Sequence, residues 1–77
     1  MKSKVYAERA VELINQRCAQ KECTLGEVLE EANIPFSTFN GWQKGLYNPT
    51  APSLECMALA GYDVHFILTG VKADGSA

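Results

Sequence analysis

The sequence predicts an all-α domain made of five short helices. Apolar residues recur every three or four positions along the chain, as they do on the buried face of a helix, and no segment shows the strict alternation of a half-buried strand. Residues that commonly begin or end helices separate the apolar segments. With 77 residues, of which 47% are hydrophobic, the chain is expected to form one domain with one compact core.

The first two helices are predicted from apolar spacing and one capping signal. Helix one runs from Val5 to Cys18, and a polar connector follows from Gln20 to Cys23. Thr24 begins helix two, because its hydroxyl can accept from exposed amides and Glu27 occupies the capping-box position. Asn33 ends it, since asparagine tolerates the left-handed backbone of a sharp exit. The apolar faces comprise Ala7, Ala10, Val11, Leu13, Ile14 and Cys18 in helix one and Leu25, Val28, Leu29 and Ala32 in helix two.

Helix three is expected from about Pro35 to Lys44, because the fixed φ of proline suits the start of a helix. At about 100° per residue, its side chains divide into two faces. The face expected in the core carries Thr38, Phe39 and Trp42. The other face is a narrow polar stripe of Ser37, Asn40, Gly41 and Lys44, in which a glycine would let a partner approach the backbone.

Phe36 lies at the edge of this stripe. Two interpretations remain open for it: a core residue at the start of the helix, or a surface residue that contacts a thymine methyl group in a major groove.

The last third of the chain is predicted as a loop followed by two short helices. Gly45 ends helix three, and Asn48 to Ser53 form a loop rich in turn residues. Helix four carries Leu54, Met57, Ala58 and Leu59 and ends near Gly61. Asp63 caps a final helix from Val64 to Thr69, which Gly70 ends. We therefore expect a folded domain over residues 1–70 and a flexible tail over residues 71–77.

Composition excludes several classes of function. The three cysteines, Cys18, Cys23 and Cys56, cannot all pair, and with His65 as the single histidine they do not form a zinc-type ligand set, so we expect reduced thiols, no metal and no cofactor. No nucleophile, base and orienting group stand together, so the chain is not expected to be an enzyme. It has no membrane-length apolar segment and no signal-peptide pattern, and we expect a soluble cytoplasmic protein.

The charge argues against a nucleic-acid partner at first sight. The formal net charge is −2 and the isoelectric point is near 5.2, whereas nucleic-acid-binding domains are usually basic. Acidic residues can nevertheless occupy a face that never meets the partner. Glu27, Glu30 and Glu31 form one such cluster.

Two helices joined by a short turn, the second with a polar stripe, fit a helix-turn-helix that presents a recognition helix to DNA. The segment TLGEVLEEANIPFSTFNGWQKG resembles the helix-turn-helix of lambda-type phage repressors and Cro proteins. The segment APSLECMALAGYDVHFILTG is similar to the two helices that close that domain. IPFSTFNGW together with DVHFILTG resembles prophage-borne regulators in particular, and the likeness covers Val5 to Gly70.

The resemblance implies a role for particular residues. Positions that face bases in the family match Phe36, Ser37, Asn40 and Gly41, and positions near phosphates match Thr24, Leu25, Lys44, Tyr47 and Asn48. Arg17 matches a helix-one arginine that often pairs with a glutamate on the recognition helix, where this chain has Gln43. Leu25 stands in place of a common glutamine, Leu29 in place of a usual alanine and Asn33 in place of a usual glycine.

The predicted function is therefore that of a sequence-specific DNA-binding transcriptional regulator, a phage or prophage repressor that binds a two-fold operator as a homodimer through its last helix. Two alternatives remain open. The chain is a helix-turn-helix module that binds another regulator rather than DNA, or it is the N-terminal part of a longer repressor in which VKADGSA begins a linker.

Overall fold

The computed structural model describes residues 4–71 and is built entirely from helices over that range. The five helices are α1 (Val5–Lys21), α2 (Leu25–Glu31), α3 (Phe36–Gln43), α4 (Ala51–Leu59) and α5 (Val64–Thr69), and no strand occurs among the described residues. The prediction of an all-α domain with five helices is confirmed.

Helix α1 is longer than predicted. It continues to Lys21 and ends at Glu22, which adopts the left-handed conformation with φ of 55°. The first half of the predicted connector is therefore helical, because Ala19, Gln20 and Lys21 all favour helix and nothing before Glu22 interrupts the hydrogen-bond ladder.

The caps of α2 and α5 form as predicted. The Thr24 hydroxyl accepts from the Glu27 amide at 3.2 Å, and the Glu27 carboxylate accepts from the Thr24 amide at 3.0 Å. The Asp63 carboxylate accepts from the Phe66 amide at 3.0 Å, which begins α5. At the ends of α2 and α3, Asn33 and Gly45 adopt the expected left-handed backbone, with φ of 58° and 72°.

Helix α4 begins inside the segment predicted as a loop. Its first residue is Ala51, and Thr50 precedes it in extended conformation. Pro52 is compatible with this early start, because the first turn of a helix needs no donor from proline. Of the apolar residues predicted for α4, Met57 is buried, whereas Leu59 is 83% exposed.

Helix α1 lies at the centre and packs against α2, α3 and α5. Of the predicted core face of α3, Phe39 and Trp42 are buried as expected, whereas Thr38 is half-buried. The buried apolar residues are Ala7, Ala10, Leu13, Ile14, Val28, Leu29, Ala32, Ile34, Phe39, Trp42, Met57, Tyr62, Phe66 and Ile67.

Two arginines of α1 attach it to the last third of the chain. Arg17 donates to the carbonyl oxygens of Ala60 at 2.7 Å and Gly61 at 3.1 Å, and its guanidinium lies 3.8 Å from the centre of the Tyr62 ring. Arg9 donates to the Ile67 carbonyl at 3.1 Å. The side chain of Arg17 thus turns to the α4–α5 connection and not to Gln43, the position that the family resemblance suggested.

Residues 72–77 of the predicted flexible tail lie outside the described residues, and Val71 is exposed. Between residues 4 and 71, no helix combines the length and the apolar character that crossing a membrane requires.

Candidate nucleic-acid interface

A tight turn fixes α3 relative to α2. The Ile34 amide donates to the Leu29 carbonyl at 2.9 Å and the Asn33 amide to the Glu30 carbonyl at 3.0 Å, the pattern of a Schellman motif with asparagine in the left-handed position. Ile34 is buried immediately after the turn. The start of α3 is therefore attached to the core, and the orientation of its outer face is set by α2.

The outer face of α3 largely follows the predicted polar stripe. Ser37 and Lys44 are exposed and Asn40 is half-buried. Phe36 is 59% exposed, so the interpretation as a core residue is wrong, and its contact with a thymine methyl group stays a prediction. A bulky apolar side chain thus stands at the start of this face, with hydroxyl, amide and ammonium groups along its length.

Gly41 differs from the rest of the predicted stripe because it is buried: Tyr47 lies over it. A Cβ atom built on Gly41 would overlap the hydroxyl and ring carbons of Tyr47. Gly41 itself is buried, whereas Tyr47 is 45% exposed. The prediction that this glycine opens the backbone to a partner is therefore wrong: its missing side chain makes room for a tyrosine of the same chain.

The chain returns to α3 because of a second Schellman motif. The Leu46 amide donates to the Gly41 carbonyl at 3.0 Å and the Gly45 amide to the Trp42 carbonyl at 3.1 Å. The positive φ of Gly45 reverses the backbone at this point. Tyr47, two residues later, is thereby placed beside the middle of the helix that the chain has just left.

Asn48 takes part in the fold. Its side-chain oxygen accepts from the backbone amide of Ala7 at 3.1 Å. That amide belongs to the first turn of α1, whose own N-cap residue, Lys4, makes no side-chain capping bond. Asn48 therefore supplies a cap from 41 residues away and connects the segment after α3 to the start of α1.

This connection brings a second lysine to the end of α3. Cγ of Lys4 lies 4.0 Å from the position that a Cβ atom on Gly45 would take. Sequence reasoning selected Lys44 but missed Lys4, because no local pattern relates the start of α1 to the end of α3. Within residues 4–71, neither lysine forms an ion pair.

The other cations of the described range have internal partners. Arg9 and Arg17 donate to backbone carbonyls, as above, and the Lys21 ammonium lies 3.1 Å from the Glu31 carboxylate. Positive charge without an internal partner in this range is thus found on Lys4 and Lys44, both next to Gly45 at the end of the polar stripe.

The opposite end of α3 borders an acidic groove. This groove has a volume of about 640 Å³ and lies between α2 and the start of α3, with Glu27 and Glu30 on one side and Phe36 on the other. Thr24 also lines it, but its hydroxyl belongs to the capping box. Leu25 is half-buried and packs against the core, so its side chain contributes to the fold.

Searches against protein-family models, curated proteins and solved structures find no match for this chain.

Proposed function

We propose that the chain is a sequence-specific DNA-binding transcriptional regulator, and that α2, the turn after it and α3 act as a helix-turn-helix. The observation that carries the proposal is the combination found on α3: an exposed face with hydrogen-bonding side chains and, at its end, two lysines that form no ion pair within residues 4–71. A helix with such a face is the usual element that enters a major groove.

The distribution of charge supports a nucleic-acid partner better than the net charge does. Contacts with phosphates need cations that are still hydrated and able to release counterions. Lys44 is exposed and Lys4 half-buried, and neither has an ion-pair partner among residues 4–71, whereas Arg9, Arg17 and Lys21 already bind groups of the same chain. The acidic groove marks the limit of the interface, because Glu30 is exposed there and would repel phosphates.

We further propose that the regulator acts as a homodimer on a two-fold operator, as a repressor of the phage or prophage type. One α3 with few long polar side chains reads few bases, so two copies are needed for specificity. Helix α5 supports this arrangement because His65 is exposed and Leu68 is 49% exposed, while Ile67 beside them is buried. Isologous pairing of α5 would place two half-sites about 10 bp apart.

Selection of duplexes from a random DNA pool tests the proposal. We expect a two-fold sequence to emerge, bound with an affinity that falls as the salt concentration rises. Asn40→Ala should then relax the preference at one base pair per half-site by about 1 to 3 kcal/mol, because an asparagine amide pairs bidentately with adenine. Equal losses on all duplexes would exclude base reading by Asn40, and failure to select any sequence would refute the proposed function.

A second candidate is binding of another protein through the acidic groove. The observation that favours it is the composition of the groove, which is lined by Glu27, Glu30 and the exposed Phe36. Such a surface suits a basic segment with an apolar anchor. Glu30→Gln distinguishes the two candidates: it should weaken capture of a basic peptide, but leave binding to DNA unchanged or stronger.

A further inference from the structure

The side chain of Tyr47 occupies the space that a side chain at position 41 would take. Gly41 lies in the outer face of α3, one turn after Ser37 and before Lys44. The Tyr47 phenol covers this position from outside, and its hydroxyl lies 3.5 Å from the Ser37 carbonyl oxygen. Nearly half of Tyr47 remains exposed, so its ring and hydroxyl form part of the surface that α3 presents.

From this pair, we infer that Tyr47 is a specificity-determining residue that presents its hydroxyl to base edges in the major groove, in place of the side chain that α3 lacks at Gly41. The inference rests on the proposed function and deepens it. It also differs from the phosphate contact that the family resemblance implied for Tyr47. The Tyr47 hydroxyl lies over Gly41 and against the Ser37 carbonyl, among the hydrogen-bonding groups of the outer face, and a donor among these groups can reach base edges.

The chemistry of the phenol fits this role. Its hydroxyl both donates and accepts, and the major groove offers acceptors on guanine, adenine and thymine. The contact with Ser37 is at the outer limit of hydrogen-bond length, so turning the proton toward a base sacrifices little within the protein. The position of the ring is nevertheless restricted, since Gly41 lies beneath it and the Gly45 turn fixes the backbone before it.

Duplex selection with the full chain and three variants tests the inference. Tyr47→Phe removes the hydroxyl and keeps the ring over Gly41. Gly41→Ala retains the hydroxyl group but displaces it together with its ring, which can move outward because Tyr47 is partly exposed. Tyr6→Phe is the matched control, because Tyr6 is 41% exposed on α1 and loses the same atom.

We expect Tyr47→Phe and Gly41→Ala to lose preference at the same base pair of each half-site, by about tenfold, the worth of one hydrogen bond at the upper end of its range. The other positions of the selected sequence, and all positions for Tyr6→Phe, should be unchanged. Thermal unfolding of Tyr47→Phe should match the parent chain, which separates a lost contact from a lost fold.

Three results would overturn the inference. Uniform weakening on every duplex by Tyr47→Phe would indicate a phosphate contact, and an unchanged selected sequence would show that the hydroxyl reads nothing. Retention of the base preference in Gly41→Ala would show that the position of the ring over α3 is irrelevant. If the parent chain selects no sequence, the proposed function fails and the inference with it. If the parent selects a sequence and any of these three results is found, the inference alone fails.

Discussion

The two ends of α1 use positive charge in opposite ways. Near its C-terminal end, Arg17 donates to two carbonyl oxygens of the α4–α5 connection and lies over the Tyr62 ring. At its N-terminal end, Lys4 lies beside Gly45 and, like Lys44, has no ion-pair partner among residues 4–71. Arg17 therefore contributes its charge to the fold, as Arg9 does, whereas Lys4 has no ion-pair partner among the described residues.

Net charge is therefore a poor guide to where this domain can bind an anionic partner. A guanidinium has a rigid set of donors that matches backbone carbonyls and stacks on an aromatic ring, so Arg17 is suited to an internal role. A lysine keeps its hydration and can exchange it for a phosphate contact. What matters for binding is which cations lack internal partners and where they lie, and in the described range these lie at the end of α3.

Arg17→Ala tests whether Arg17 stabilises the fold, and it has the largest effect that we expect. It removes two charge-assisted hydrogen bonds and the stacking on Tyr62, and we expect a loss of about 2 to 3 kcal/mol in the free energy of unfolding. Urea denaturation measures the loss. Binding to DNA, corrected for the folded fraction, should stay the same, because Arg17 already binds groups of the same chain.

The matched variant is Arg17→Lys, which keeps the charge but lacks the fork of donors. It should recover only part of the lost stability. Full recovery would mean that charge alone holds the α4–α5 connection, and an unchanged urea midpoint for Arg17→Ala would contradict the internal role.

Local features of the fold were predictable from the sequence, and contacts between distant segments were not. The capping box at Thr24, the left-handed Asn33 and the buried face with Trp42 each depend on residues within a few positions of one another. The cap from Asn48 to Ala7 joins residues 41 positions apart, and no periodicity encodes it.

The candidate site shows the same division. A helical projection places Phe39 and Trp42 in the core and Ser37 and Lys44 at the surface correctly, but it leaves Phe36 undecided. It assigns Gly41 to the surface because it considers one helix in isolation. That Tyr47 covers Gly41, and that Lys4 lies beside Gly45, depends on how the chain returns after α3.

Lys44→Ala tests whether a surface lysine with no ion pair among the described residues contacts a phosphate. We expect weaker binding to all duplexes and a decrease of about one in the magnitude of the salt slope, because one phosphate contact is lost. The control is Lys21→Ala, which removes the same charge from a lysine that pairs with Glu31 at 3.1 Å. Its salt slope should not change, and its stability should change by less than about 0.5 kcal/mol, as for most exposed ion pairs.

Titration of DNA binding against salt, on a selected and an unrelated duplex, gives both slopes. If Lys21→Ala lowers the salt slope as much as Lys44→Ala does, then an ion pair within the chain does not prevent a lysine from contacting DNA. If Lys44→Ala affects one duplex only, it reads bases rather than phosphate.

Tyr62→Phe tests whether the ring of Tyr62 alone is sufficient to hold Arg17, and it has the smallest effect that we expect. The Tyr62 hydroxyl is buried without a hydrogen-bond partner of good geometry in the described part of the chain, whereas the ring carries the contact with Arg17. Removing the hydroxyl keeps that ring, so below pH 9 we expect the free energy of unfolding to change by less than about 0.5 kcal/mol, since no satisfied hydrogen bond is lost.

The two proteins should differ at alkaline pH. Burial raises the pKa of Tyr62 above its ordinary value of 10.0, and the nearby Arg17 opposes this only in part. The folded chain therefore holds the phenolic proton more tightly than the unfolded chain, and stability falls as the pH rises from the unfolded pKa through the folded one. Urea denaturation across that range should show a steeper fall for the parent than for Tyr62→Phe. Parallel curves would mean that the phenol is solvated in the folded state, and that Arg17 binds an open ring rather than one enclosed by the core.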